Sequence, residues 1–270
     1  MRRLLPKLVS TWRYPVKSMM GEEMNAATIT EKGVLGDRAY ALMDTSTGKL
    51  ANAKHPQKWP TIYEYRASFT EPPALGHPTP PVRFTFPDGS TRISTDSDVN
   101  DRLSASLKRT VRLMTPSKQA VQFEGYIPDM EELANKNSVF TGTSPEGTFF
   151  DISMLHILTT STINHLRSII PGSRVEVRRF RPNIVIDAHD EEGFVENKWV
   201  GRTLRIGNQV RLQIVQPTLR CVMTTLPQGD LPRDPDILRS AVTYNNGGIG
   251  VYARVLEGGH IQRGDTVELE

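Results

Sequence analysis

Glycine and proline cut this chain at short intervals, and the apolar runs between the cuts alternate with polar residues. Twenty glycines and nineteen prolines are spread through 270 residues, with no internal repeat and no low-complexity tract. Alternation of period two marks a strand with one buried face, and glycine and proline supply the turns between such strands. The fold class expected is therefore mainly β, of α+β type, with many short strands and a few helices.

In the first half, residues 4–14, 24–30, 38–44, 61–69 and 82–86 read as strands. Gly33 and Gly36 mark a turn, residues 44–48 a hairpin, and Asp88-Gly89 another turn. This spacing suggests an antiparallel barrel or sandwich. Residues 98–109 read as a helix capped by Asp96 or Ser97, with Val99, Leu103 and Leu107 on one face.

Residues 116–145 are the least regular stretch. Gly125, Pro128, Gly142, Pro145 and Gly147 argue for a long surface loop, with one helical turn at Glu131-Glu132-Leu133-Ala134. Long loops in compact domains are usually lids or insertions, so substrate selectivity is expected there. Beyond it, residues 155–158, 184–186, 199–206, 210–215, 250–256 and 265–269 read as strands. Helices are expected from Thr160 or Ser161 to about Ile170, and over 234–244 with Pro235 in the first turn and Ile237, Leu238 and Val242 inward. Two domains follow, 1–115 and 116–270, with 116–148 as an irregular linker or lid.

Composition excludes several classes. Apolar residues at 37% and charged residues at 23% suit a soluble globular protein. No apolar run is long enough to span a bilayer. The basic start, Met1-Arg2-Arg3, is followed by no apolar h-region or cleavage site, so a cytoplasmic location is the expectation. A single cysteine excludes an internal disulfide and any multi-cysteine zinc or iron–sulfur site. The six histidines are scattered without metal-ligand spacing, and His156 reads as a core or supporting residue. Net charge is +3 and aromatics are only 7%, without the interleaving of aromatic and basic residues that a nucleic-acid platform needs. The densest basic cluster, Arg178-Arg179-Phe180-Arg181, can serve one anionic ligand as well as a polynucleotide.

The lone cysteine sits in Gln216-Pro217-Thr218-Leu219-Arg220-Cys221-Val222-Met223-Thr224-Thr225. It follows the alternating run at 210–215, and Pro217 should end or bend that strand. Cys221 then falls where a strand gives way to a turn, beside a guanidinium that favours the thiolate, the form that ligates metals. A lone cysteine is more often a small buried hydrophobe, so its neighbours must decide. Three basic pairs lie at turns: Lys17-Ser18, Asp37-Arg38 and Lys54-His55. A lysine and a hydroxyl can jointly hold a phosphate. Pro182 is expected to hold Arg181 extended and so fix its direction.

Four separated motifs then coincide in order: Tyr14-Pro15-Val16-Lys17-Ser18, Gly36-Asp37-Arg38, Phe180-Arg181-Pro182-Asn183-Ile184-Val185 and Arg220-Cys221-Val222-Met223-Thr224-Thr225. Together they resemble the MOSC family in its two-part form, with an N-terminal β-barrel module and a C-terminal MOSC β-barrel. The likeness extends to the mitochondrial amidoxime-reducing components and their bacterial relatives, and covers nearly the whole chain.

The resemblance implies a molybdenum cofactor (Mo-molybdopterin), with Cys221 as the metal's thiolate ligand. By matching position, Lys17, Ser18, Arg38, Arg181, Asn183 and Arg220 are its anchors. Asp151 and Ser153 match an Asp-x-Ser segment near the metal, and Tyr252 matches a tyrosine close to the cofactor. Lys54 stands where relatives carry an arginine, a departure at that phosphate contact. Pyridoxal phosphate binding is sometimes inferred for the family, but no lysine here has a Schiff-base context. The activity implied is reduction of small N-hydroxylated molecules, with Asp151 as a candidate for proton delivery. No ferredoxin-like extension is recognisable, so electrons are expected from a separate ferredoxin-, flavodoxin- or cytochrome b5-type protein, with neither nucleic acid nor membrane as partner. The alternative is a non-catalytic carrier or sulfur-transfer protein for the same cofactor, with a persulfide on Cys221.

Overall fold

The computed structural model describes residues 5–189 and 191–270; the basic start at 1–4 lies outside the described residues. The chain is mainly β, as expected, with α-helices at Val99–Leu107, Thr160–Ile169, Val177–Phe180 and Asp236–Asn245. No helix among the described residues is long and apolar enough to cross a membrane.

The largest sheet has eight strands. In spatial order they are Val267–Leu269, Thr203–Ile206, Val210–Leu219, Gly248–Glu257, Leu155–Thr159, Ile184–Asp187, Lys7–Arg13 and Glu22–Met24. The last two come from the start of the chain. Lys7–Arg13 pairs antiparallel with Ile184–Asp187, and Ala26–Thr30 pairs with Gly259–Gln262. The first strands of the N-terminal half thus complete the sheets of the C-terminal half. Their apolar faces belong to one core: Leu8 and Ile29 pack with Ile157, Ile184, Leu212 and Val251. A second core lies under the remainder of the first half, built on Val16, Leu42, Trp59, Phe84 and Leu103.

Local chemistry explains the element ends. Asp44 Oδ1 accepts from Ser46 N at 3.0 Å and Gly48 takes φ +69°, which turns the chain into the Lys49–Leu50 strand. The hydroxyl of Thr159, one residue earlier than expected, caps the 160–169 helix by accepting from Thr162 N at 3.1 Å. Pro235 is the N-cap residue of the last helix, where its fixed φ costs nothing, and Val242 on that helix is only half-buried. Residues 61–69 and 199–206 are each less than a full strand: 3-10 turns at Ile62–Glu64 and Val195–Trp199 lead into strands at Arg66–Phe69 and Thr203–Ile206.

Residues 116–148 are not irregular throughout. They carry an antiparallel hairpin, Gln122–Ile127 with Ser138–Thr143, which extends a five-stranded sheet through Lys49–Leu50. The glycines that read as breakers make room for aromatic rings across the pair. Gly125 faces Phe140 and Gly142 faces Phe123, and a Cβ at either would lie within 2.4 Å of the facing ring. Residues 131–134 form turns rather than a helix.

Candidate functional site

The Lys7–Arg13 strand delivers Tyr14-Pro15-Val16-Lys17-Ser18 to the boundary between the two cores. Lys17 N donates to Tyr40 O at 2.9 Å, and Ser18 then turns left-handed at φ +65°. The Ser18 hydroxyl accepts from Ala53 N at 3.1 Å, and Asn52 Oδ1 accepts from Lys54 N at 2.9 Å. Together these bonds hold the 52–54 loop beside Lys17. Gly36, at φ +82°, lets the chain return so that Arg38 N donates to Tyr14 O at 2.8 Å. Asp37 lies at the centre of this corner: it accepts from Tyr14 N at 2.7 Å and Asn183 Nδ2 at 2.9 Å, and it pairs with the Arg38 guanidinium.

The second half supplies the opposite wall. Arg181 is left-handed, at φ +52°, and not extended as the following proline suggests. Its N–H closes the short Val177–Phe180 helix on Arg178 O, and its Nη1 donates to Met19 O at 2.7 Å. These bonds outweigh the proline preference. Three site residues, Ser18, Arg38 and Arg181, therefore occupy a backbone region costly for non-glycine residues, a form of strain that clusters at functional sites. Asn183 is locked by Oδ1 accepting from His156 N at 3.2 Å.

The Val210–Leu219 strand runs through Pro217 with register shifts around it, so the proline bends the strand without ending it. Cys221 follows at the N-cap of the Val222–Thr225 3-10 turn, half-buried, and its carbonyl accepts from Thr224 N and Oγ1 at 3.2 and 3.0 Å. The adjacent threonines thus close the turn that presents the thiol. Arg220 Nη2 donates to Phe180 O at 2.7 Å, while its Nε is buried without a partner.

Between these walls Asp151 accepts from two lysines, Lys17 Nζ at 2.5 Å and Lys54 Nζ at 2.8 Å. Lys17 also donates to Phe149 O at 2.6 Å, and the buried Phe123 ring backs both ammonium groups at 5.0 and 5.3 Å. Burial pushes Lys17 down to about 8 against the pull of Asp151. Burial opposes the charge on Lys54 too, but the Asp151 carboxylate prevails and holds its pKa up. For Asp151, burial is likewise outweighed by the two lysines, which hold its pKa well below the usual carboxylate range. A carboxylate so held is ionised and accepts hydrogen bonds from both lysines. Burial, and then Arg220, press His156 down to about 3, so its imidazole is neutral.

Most of these groups line one cavity of about 90 Å³ that is partly open to solvent. Every residue assigned to the site through the resemblance reaches it, namely Cys221, Asp151, Lys17, Ser18, Arg38, Lys54, Ser153, Arg181, Asn183, Arg220 and Tyr252, whereas Asp37, His55, Arg178 and Arg179 do not line it. The structure adds Phe150, Ile152, Phe180, Leu219 and Met223, together with His156. Each of these is a sequence neighbour of a motif residue or, for His156, a strand partner of Tyr252. No residue of 116–148 lines the cavity; the hairpin supports it from behind through Phe123.

Five cationic side chains line the cavity with one lining carboxylate, Asp151, while Asp37 outside the lining pairs with Arg38, and the buried Arg220 Nε lacks an acceptor. That donor set fits an anionic group. Among the described residues no cluster of three His, Cys, Asp or Glu could hold a bare metal ion. A metal here must bring most of its own ligands and take one soft sulfur from the protein, which is the donor set a dithiolene-bound molybdenum requires.

Two family models match. The MOSC domain covers residues 146–268, and the MOSC N-terminal beta barrel domain covers residues 5–124. No curated protein matches the chain. Among solved structures, it is similar to the YUAD protein from Bacillus subtilis at 11% identity, over 99% of this chain and 97% of that one, with a TM-score of 0.49. It is also similar to YiiM from Geobacillus stearothermophilus, at 17% identity over 59% of this chain and 67% of that one, with a TM-score of 0.35. YiiM from Escherichia coli matches at 20% identity over 44% and 54% of the two chains, with a TM-score of 0.33. Likenesses this distant carry no functional argument.

Proposed function

We propose that this chain, which belongs to the MOSC family and carries that family's N-terminal β-barrel module, binds the molybdenum cofactor in the Cys221 cavity and reduces small N-hydroxylated molecules. MOSC domains as a family are associated with binding of the molybdenum cofactor. The observation that carries the reading is convergence: the sole thiol and five cations, drawn from both halves of the chain, surround one cavity.

When bound, the cofactor supplies two-electron redox chemistry at molybdenum. The protein's part is to hold and orient it. Cys221 offers the thiolate ligand at a fixed turn. Lys17, Lys54, Arg38, Arg181 and Arg220 offset the charge of the anionic tail, and Ser18, Asn183, Ser153 and Tyr252 offer hydrogen bonds to its polar edges. Ser153 Oγ already donates to Ala253 O at 3.1 Å, so it serves as an acceptor. Overall, an amidoxime, hydroxylamine or N-oxide takes up two electrons and two protons and releases water. A separate ferredoxin-, flavodoxin- or cytochrome b5-type protein supplies the electrons.

The test is turnover of benzamidoxime to benzamidine with a chemical reductant, using protein made in a molybdenum-replete host. The reading expects turnover that disappears in Cys221→Ala. Molybdenum-loaded protein that reduces nothing favours the carrier or sulfur-transfer role instead.

A further inference from the structure

Exposure divides the cavity wall sharply. Lys17, Ser18, His156, Phe180, Arg181 and Asn183 are buried at its deep end. Cys221, Met223, Arg220 and Tyr252 are half-buried. Among the described residues that line it, only two are exposed, and both are large aliphatics: Ile152 at 54% and Leu219 at 65%. They come from separate segments of the chain. Ile152 lies between Asp151 and Ser153, and Leu219 is the last residue of the strand that ends two residues before Cys221.

Scattered exposed hydrophobes are ordinary, but two that form the solvent-exposed part of a polar cavity's lining are positioned to act on whatever enters. Covering aliphatic surface with an apolar group is favourable in proportion to the area removed from water. A charged or strongly hydrated group pressed against the same surface would lose solvation without replacement hydrogen bonds. The hairpin within 116–148 contributes no residue to the lining.

We propose that Leu219 and Ile152 form a selectivity rim that grips the apolar body of a substrate while its polar N–O end points inward toward Cys221. The proposal rests on the reading of the cavity as the site of N-hydroxylated substrate reduction.

The experiment compares benzamidoxime with acetamidoxime, which keeps the reacting group and lacks the ring. Both are assayed with molybdenum-loaded wild type, Leu219→Ser, Ile152→Ser, the double variant and Leu219→Met. Calorimetric binding of benzamidoxime is measured on the same samples, and molybdenum content is checked for each. The expected result is a fall of about tenfold per serine variant in the ratio of kcat/KM for the aryl over the methyl substrate. Benzamidoxime affinity should weaken in parallel, and Leu219→Met should restore most of both. A ratio unmoved in the double variant, with turnover intact, overturns the rim and leaves the reductase reading standing. Benzamidoxime binding that weakens in the serine variants, in loaded protein that turns over neither substrate, keeps the rim and sinks the reductase reading. Wild type that neither binds nor reduces benzamidoxime overturns the rim.

Discussion

The guanidinium of Arg181 lies over the ring of Tyr14, 4.0 Å from its centroid, and the Tyr14 hydroxyl donates to Pro182 O at 3.0 Å. Arg38 stacks on the same ring at 4.9 Å. One buried aromatic just past the first strand thus orients two cavity cations, one from each half of the chain. The two halves share more than a surface here, because the site is assembled on a side chain that both pack against.

Tyr14 separates packing from hydrogen bonding. Tyr14→Phe keeps both stacks and loses one buried hydrogen bond, so a loss of about 1 kcal/mol is expected. Tyr14→Leu removes the ring as well and should cost about 3 kcal/mol. Urea denaturation of the two variants checks the order. Equal losses would mean that the stacks contribute nothing.

Asp151 keeps two lysines apart. Asp151→Asn removes the carboxylate that holds the charge on the two lysines over the Phe123 ring. Because Asp151 retains about a fifth of its surface in water, the expected loss is about 2 kcal/mol at pH 7, below that of a fully buried pair. An anion can take the carboxylate's place, so millimolar phosphate should recover part of the loss in the variant and stabilise the wild type less. Thermal melts with and without phosphate give the comparison.

The acid side of the stability profile follows from His156. Its folded pKa of about 3 lies below the ordinary 6.5, so between those values the unfolded chain binds a proton that the folded chain refuses. Stability contributed by this group is present above pH 6.5 and is lost as pH falls toward 3, at up to about 1.4 kcal/mol per pH unit. Between pH 6.5 and 4.5, where the depressed Asp151 carboxyl is still fully ionised, His156→Gln should flatten the slope. An unchanged slope would place the proton uptake elsewhere.

Gly250 is fixed by the same histidine. It takes φ +80°, and a Cβ there would lie 2.2 Å from His156 Nε2 and 2.6 Å from Ile157 O. The second of these is backbone and cannot move aside. Gly250→Ala should cost on the order of 3 kcal/mol or more, or abolish soluble expression. A variant that melts within a few degrees of wild type would contradict the close approach.

Part of the cavity lining was legible in the sequence because some of its residues follow a mark that fixes the backbone, whereas Asp151, Ser153 and Tyr252 were reached only through the family resemblance. Lys17 comes after Tyr14-Pro15, Arg38 after Gly36-Asp37, and Cys221 after the proline-bent strand. Three features resisted that reading. The 122–143 hairpin was hidden because Gly125 and Gly142 serve ring packing across strands, a long-range reason that local propensity does not register. Arg181 was misread because the proline rule is local, whereas the bonds from its backbone to Arg178 and its side chain to Met19 are tertiary. The division at residue 115 missed that Lys7–Arg13 inserts beside Ile184–Asp187, since periodicity identifies a strand and not its partner. The rim residues Ile152 and Leu219 carried no signal beyond their neighbours' motifs.

The most direct measurement is molybdenum per chain by elemental analysis, on protein from a molybdenum-replete host, for wild type and Cys221→Ser. The account predicts close to one molybdenum per chain in the wild type and at most about a tenth of that in the variant, with both equally folded by circular dichroism. A folded wild type without molybdenum, or a variant that keeps its full complement, would contradict it.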